Sequence, residues 1–383
     1  MSEVSSCYDV AVIGAGIAGA SVAAHLARDA RVVLIEQESQ PGYHTTGRSA
    51  AIFSPVYGPP AIRALTRASH AFFMQPPDSW DPVPLLTPIH AAFIARADQL
   101  SSLDALHREL GCVDGLERLS GTELESRVSL LRSGYAAQGL WDCGTSKIDV
   151  SALHQGFLGE FKRAGGRLLT RFSLSSLQRC AGVWRLCGAG AHGQLQEVRA
   201  SIIVNASGAW ADAVGQLAGA ERLGLQPKRR TAILIDCPPE QACADLPLVI
   251  DVDEQFYLKP DAGKLLISPA NEDPEQPCDV QPDEIDIAIC VDRIERAFNL
   301  TIRRIQSSWA GLRSFVADKN PVAGFSQRVE GFYWLAAQGG YGIQTSPAMA
   351  QLAASEILNG SVPEAILQSG LNPDSLRAKR LLI

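Results

Sequence analysis

Apolar positions along this chain fall into two rhythms, and where one gives way to the other marks its elements. Tyr8-Asp9-Val10-Ala11-Val12-Ile13 is an apolar run of strand length that stops at Gly14-Ala15-Gly16-Ile17-Ala18-Gly19. Residues 17–28, rich in Ala and Leu and free of Pro, predict a helix. Asp29-Ala30 is a brief turn, and Arg31-Val32-Val33-Leu34-Ile35 is the next strand. The order strand, helix, strand is a βαβ unit. Pro density rises between residues 55 and 88, which predicts a connection between two domains without long helices. Residues 103–110, 122–131 and 151–164 have helical spacing, the last with Leu153, Phe157, Phe161 and Ala164 on one stripe. Residues 167–171 read as a strand, and 183–187 pairs with 195–200 as a hairpin. Residues 201–206 form a buried strand that leads into Gly208-Ala209-Trp210 and a helix from Ala211. Between residue 227 and about residue 304, short apolar runs separated by Pro, Asp and Gly predict an antiparallel sheet. Residues 332–337 give a further strand and 346–358 a final helix.

Composition narrows the class. Charged residues are 20% of the 383 and hydrophobic ones 46%, the balance of a folded globular chain with no repeats. With 34 Lys and Arg against 41 Asp and Glu, the net charge of −7 excludes a general phosphate-binding field, so nucleic acid is not an expected partner. The nine cysteines are odd in number and scattered, with no C-x-x-C pair. They read as reduced thiols in a cytoplasmic protein, with no disulfide and no structural metal expected. Residues 10–27 are the most apolar stretch, but glycines break it and no basic segment precedes it, so neither a signal peptide nor a transmembrane segment is expected.

Gly14, Gly16 and Gly19 lie where a strand feeds a helix. There, backbone N–H groups around Ala15, Ile17 and Ala18 and the positive end of the helix dipole meet a pyrophosphate. Gly188-Ala189-Gly190-Ala191-His192-Gly193 has the same spacing but sits between two strands, so it reads as a hairpin tip. Glu36, followed by Gln37, ends the second strand where a carboxylate accepts ribose hydroxyls and repels a 2′-phosphate. The motif alone fits FAD or NAD. Elements recurring near residues 205 and 340 favour the longer ligand, FAD. In residues 42–51, Thr46, Gly47, Arg48, Ser49 and Ala50 run beside the pyrophosphate and toward a flavin. Gly339, Gly340, Tyr341, Gly342, Ile343 and Gln344 form another strand-to-helix turn, whose N-terminus would stabilise charge on a reduced flavin. Leu174, Ala206, Gly208, Trp210 and Gly311 complete the expected cofactor surface.

Taken together, VIGAGIAGAS, IEQESQPGYHTTGRSAA, NASGAWAD, LGLQPKRR, FYLKPDAG, WAGLRSFVAD and AAQGGYGIQTS resemble the bacterial FAD-dependent D-amino-acid dehydrogenases, the D-arginine-oxidising branch most closely. That family is similar to D-amino-acid, glycine and sarcosine oxidases. The resemblance spans essentially the whole chain. It implies an α/β (α+β) architecture with a Rossmann-like FAD-binding domain, discontinuous in sequence (1–85, 145–225 and 310–383), and an antiparallel-sheet substrate domain (86–144 and 226–309). It implies hydride transfer from Cα of an amino acid to the flavin, which needs no dedicated general base, and no histidine is singled out. Arg230 and Arg313 match the carboxylate-anchoring arginines, Tyr57 and Tyr257 the tyrosines at the substrate, and Gly340 and Gln344 positions near the amine. Two positions depart from the branch. Ala91 stands where a Glu pairs with a cationic side chain, and Ile52 where a His stands.

The side-chain pocket therefore reads as more apolar, for a neutral, hydrophobic, cyclic or N-substituted amino acid rather than D-Arg. A 2-hydroxy acid, the C–N bond of a heterocyclic carboxylate, a catalytically idle FAD subunit and NAD-dependent chemistry stay open as alternatives. The electron acceptor (oxygen, quinone or carrier) is not legible. Sarcosine oxidases tether their flavin through a late Cys, whereas none follows Cys290 here, so the FAD is expected to be non-covalent.

Overall fold

The computed structural model describes residues 7–239 and 242–382. The apolar run at the N-terminus becomes the strand Cys7–Ile13, buried from Val10 onward, and the helix Ile17–Leu26 packs on it. This strand pairs in parallel with Val32–Ile35 on one side and with the end of the long strand Leu195–Asn205 on the other. Arg167–Leu169 extends the parallel run beyond Val32–Ile35, and Phe332–Ala336 extends it beyond Leu195–Asn205. With the hairpin Ser173–Cys180 and Val183–Ala189 and the edge strand Val322–Phe325, the described residues form an eight-stranded sheet. Helices Ile17–Leu26, Val150–Arg163 and Gly342–Asn359 cover one face through Leu26, Phe157, Phe161 and Leu352, all fully buried. Gly190 and Gly193 lie in the turn that joins Val183–Ala189 to Leu195–Asn205, with Gly188 near the end of the strand before it, as their flanking strands imply.

A second sheet of nine strands is antiparallel except where Leu248–Asp251 runs parallel to Ala91–Ala95. Its spine is the pair Gln226–Asp236 and Ile305–Phe315, joined from Gln226↔Phe315 to Ile235↔Ile305. Strand periodicity divides its faces. Ile233, Ile267, Leu258 and Val249 enter a core closed by the helix Glu284–Ala297, whereas Arg230, Ala232 and Tyr257 face the first sheet. Mixed α/β character with both sheet types is therefore the architecture.

Three expectations are corrected. The Pro-rich connection contains the long helix Pro60–Met74, because Pro60 sits at the first helical turn, where no N–H is needed, and the residues after it bury Ile62, Leu65, Thr66, Ser69 and Phe73 along one face. The stretch read as sheet alone contains the helix Glu284–Ala297, capped by the Asp283 carboxylate on the Ile285 N–H at 2.9 Å. Cys237 and Cys243 are joined in a disulfide. Their Cα atoms lie 6.1 Å apart at a sequence separation of 6, within bridging range, and the odd cysteine count does not single out this pair. Among the described residues, no helix is long and apolar enough to cross a membrane.

Candidate active site

Between the two sheets lies a cavity of about 320 Å³, and its floor is the glycine turn. Gly14 has φ +95°, and a Cβ there would meet the Ala206 carbonyl oxygen at 2.5 Å. The turn is thus pressed against the backbone that leaves the strand Leu195–Asn205, and only glycine fits. Glu36 faces the cavity with 8% exposure. One carboxylate oxygen accepts the Ala15 N–H at 2.8 Å and the other the Glu38 N–H at 2.9 Å, which fixes its orientation at the end of the second strand. His154 supports the turn from below, donating from Nε2 to the Ala15 carbonyl at 2.9 Å. Burial pushes its pKa down, so it acts as a neutral donor.

Residues 42–51 fold over the helix N-terminus. Thr46 Oγ1 accepts the Ile17 N–H at 3.0 Å, Thr45 donates to the Leu312 carbonyl at 2.8 Å, and Trp309 Nε1 donates to the Arg48 carbonyl at 3.0 Å. Arg48 lines the cavity, but its guanidinium is engaged elsewhere: it donates to the carbonyls of Val280 and Ala310 and pairs with Asp279. Its charge braces this segment against the second sheet. Gln37, Ser49, Ala50, Leu174, Ala206, Gly208, Trp210, Gly311, Gly339, Gly340, Gly342 and Ile343 line the cavity together with Gly14, Gly16, Ile17 and Ala18. Ala15, Gly19, Gly47 and Tyr341 do not. Gly19 lets helix and turn touch, Gly47 closes a turn onto the Gly42 carbonyl at 2.7 Å, and Tyr341 packs its ring 5.2 Å from that of Tyr57.

A cavity whose floor is a helix N-terminus with no acidic residue in its first turn, and whose wall carries a fixed carboxylate one strand away, fits a dinucleotide. Among the described residues, no cysteine lines it. Acid denaturation is therefore expected to release all yellow colour into the protein-free supernatant as FAD. Colour retained in the precipitate would show a covalent link.

A smaller chamber opens from the cavity, sharing Arg230, Tyr257, Arg313, Gly340, Ser49, Ala50 and Ile343 with it and adding Ile52, Tyr57 and Gln344. Alternation along Gln226–Asp236 separates two adjacent arginines. Arg229 turns to Asp286 at 2.9 Å and to Glu275, while Arg230 turns into the chamber. Arg230 is 6% exposed, its Nε donates to the Asn271 carbonyl at 2.9 Å, and its buried Nη2 makes no hydrogen bond but lies 3.6 Å from Glu272 Oε1 in an ion pair. Burial first, and the Arg313 charge second, push its pKa down. Burial also opposes the Arg313 charge, but Tyr57, Tyr257 and Glu254 outweigh it and hold Arg313 above the ordinary arginine value. Both remain cations. Burial raises the Tyr57 pKa despite the two arginines, so its phenol stays protonated as a donor. Gly340 abuts Arg313: a Cβ there would lie 2.7 Å from Cζ. Gln344 is 2% exposed. It accepts the Ser54 N–H at 3.0 Å, and its Nε2 is left without a partner at the chamber wall.

Ala91 does not line the chamber. It pairs with Leu248 in the neighbouring strand, and Leu248 forms the wall in its place. Sequence reading missed Glu254, Lys259, Leu248, Ile250 and Ala270, which also line it. Lys259 was within reach, two residues from Tyr257 on one strand and therefore on the same face. Glu254 sits in a turn at φ +52°, where no periodicity points to it.

Similarity to solved structures is in fold. Glycine oxidase from Geobacillus kaustophilus superposes with a TM-score of 0.79 at 20% identity, over 93% of this chain and 96% of that one. FAD-bound L-alpha-glycerophosphate oxidase from Mycoplasma pneumoniae superposes with the same TM-score and coverage at 16% identity. Among curated proteins, FAD-dependent oxidoreductase domain-containing protein 1 from Xenopus laevis is 26% identical over 190 residues, 45% of this chain and 38% of that protein. The alignment thus spans well under half of that relative's length. The FAD dependent oxidoreductase family matches residues 9–356, nearly the whole path from the first strand through the last long helix, and this chain belongs to it as a flavoenzyme with FAD as its cofactor.

Proposed function

We propose that this enzyme oxidises the C–N bond of an α-amino acid, a D- or N-substituted one, to the imino acid, with an uncharged side chain in place of a guanidinium. The observation that carries the reading is the pair Arg230 and Arg313: two buried guanidiniums open on one chamber, and Arg230 Nη2, 3.6 Å from the Glu272 carboxylate, still lacks a hydrogen bond. Two desolvated like charges repel, and an anion between them relieves both the repulsion and the missing hydrogen bond. An α-carboxylate matches their planar forks. Bound FAD supplies the hydride acceptor. The chain's own groups orient the substrate: Tyr57 and Tyr257 donate to the carboxylate from the flanks, and Gly340 leaves room for Arg313 to reach it. Gln344, whose amide is fixed by Ser54, sets the amine end through its free Nε2. A hydride donor needs its amine neutral, and solvent takes that proton without a dedicated base.

The D-arginine branch pairs its substrate's cation with a Glu for which Ala91 stands here. The chamber's carboxylate, Glu254, shares its wall with the two arginines and Tyr57, and its charge acts on all three. Anaerobic flavin reduction across D-, L-, N-methyl and cyclic amino acids and their 2-hydroxy analogues tests this. Bleaching by neutral D- or N-substituted amino acids, with D-Arg at least tenfold poorer in kcat/KM, is expected. Preference for D-Arg or for the hydroxy acids overturns it.

A further inference from the structure

The sheet face that presents Tyr257 to the chamber presents one more charged side chain. Phe93, Ile250, Tyr257 and Ser268 are successive partners across four strands, and in the adjoining row Ala91 pairs with Leu248 and Lys259 with Leu266. Lys259 thus stands among apolar residues. It is 5% exposed and lines the chamber beside Leu248 and Ile250. Its ammonium lies 3.3 Å from Asp261 Oδ1, and the Asp261 side chain is 40% exposed. An ammonium has three donors, and burial of unused ones is costly. The contact with Asp261 compensates the charge while taking one donor.

We propose that Lys259 is the far anchor of the substrate chamber, donating a hydrogen bond to an acceptor oxygen at the end of the substrate's side chain. The substrate is then an α-amino acid with an uncharged, acceptor-ended side chain, of which a carboxamide is the simplest. This rests on the reading of Arg230 and Arg313 as the carboxylate clamp and deepens it. A cationic end meets the like charge of the Lys259 ammonium. A carboxylate end adds net negative charge beside an already neutral Lys259–Asp261 pair, in a chamber whose wall also holds Glu254. An apolar end leaves buried donors unused.

Anaerobic flavin reduction with D- and L-glutamine, norleucine, glutamate and lysine, on wild type and on Lys259→Met and Lys259→Arg, tests the anchor. Wild type is expected to favour one enantiomer of glutamine over the matching norleucine by about tenfold or more in kcat/KM, the worth of one hydrogen bond to a charged donor. Lys259→Met reverses the order and Lys259→Arg keeps it. Norleucine favoured by wild type, or both substrates changed equally by Lys259→Met, overturns the anchor and leaves the clamp standing. The wild-type ratio decides even if a variant fails to fold. Reduction by none of the eight overturns the anchor, and the clamp falls with it only if the N-methyl and cyclic amino acids also leave the flavin oxidised.

Discussion

Arg313→Met is expected to lower kcat/KM for the preferred amino acid by about three orders of magnitude while the protein keeps its FAD and its yellow colour. Arg313 sits beyond the cofactor floor, in the part of the strand Ile305–Phe315 that passes Gly340, so its loss removes no group from the glycine turn. Truncating one member of a buried, hydrogen-bonded charge pair costs about 2–5 kcal/mol, and each 1.4 kcal/mol is tenfold. The upper half of that range applies because Arg230, the remaining cation, already has its Nε committed to Asn271 and cannot swing to cover both carboxylate oxygens. The loss divides between KM and the limiting reduction rate, since a carboxylate held from one side no longer fixes which substituent of Cα faces the flavin. Arg313→Lys recovers only part of it, because a point charge replaces a fork. Rapid-mixing reduction at several substrate concentrations measures both. A variant within threefold of wild type would remove Arg313 from the clamp.

The glycine turn was legible because three constraints coincide in sequence: an apolar run ending at Gly14, spacing to Gly16 and Gly19, and an acidic residue closing the next strand. The proposed clamp was not legible from composition. Arg229 and Arg230 are chemically identical neighbours, and what separates them is strand alternation against two different surroundings, an acidic cluster on one face and the chamber on the other. The family resemblance singles out Arg230, and strand alternation is what turns Arg230 rather than Arg229 toward the chamber. The helix Glu284–Ala297 escaped because Ile285, Ile287 and Ile289 alternate as a strand would, yet Ile285 and Ile289 are left exposed while Cys290, Ile294 and Ala297 are buried at helical spacing. The helix Pro60–Met74 escaped because Pro59-Pro60 was read as a breaker when it is a start signal. Arg48 lines the cavity, yet a cation beside a phosphate loop need not face the phosphate, and here Asp279 and two carbonyls claim it. Contacts of that kind join residues more than 200 positions apart and leave no local trace.

Gly14→Ala and Gly16→Ala, two positions apart, are expected to fail in different ways. At Gly14 a methyl group would lie 2.5 Å from the Ala206 carbonyl oxygen and 2.9 Å from Ser207 Cα, both backbone, at φ +95°. Neither neighbour can yield without breaking the Ala206 N–H bond to the Ile13 carbonyl at 2.9 Å, which aligns the two central strands. Backbone strain of about 1–3 kcal/mol and overpacking of about 1–3 kcal/mol add, against a total stability of roughly 5–15 kcal/mol. Gly14→Ala should therefore lose apo-protein stability by about 2–6 kcal/mol, measured by urea unfolding, and fail to take up FAD. At Gly16, with ordinary φ, the methyl group meets one atom, Thr46 Oγ1 at 3.1 Å, at the end of a rotatable side chain. The apo fold should survive within about 1 kcal/mol. FAD affinity should nevertheless fall by tenfold or more, because the methyl group occupies the approach to the helix N-terminus and displaces the hydroxyl that accepts the Ile17 N–H. Fluorescence titration of apo-protein with FAD separates the two. Equal stability losses in both variants, with unchanged FAD affinity for Gly16→Ala, would mean that this turn serves packing alone and that the pyrophosphate lies elsewhere in the cavity.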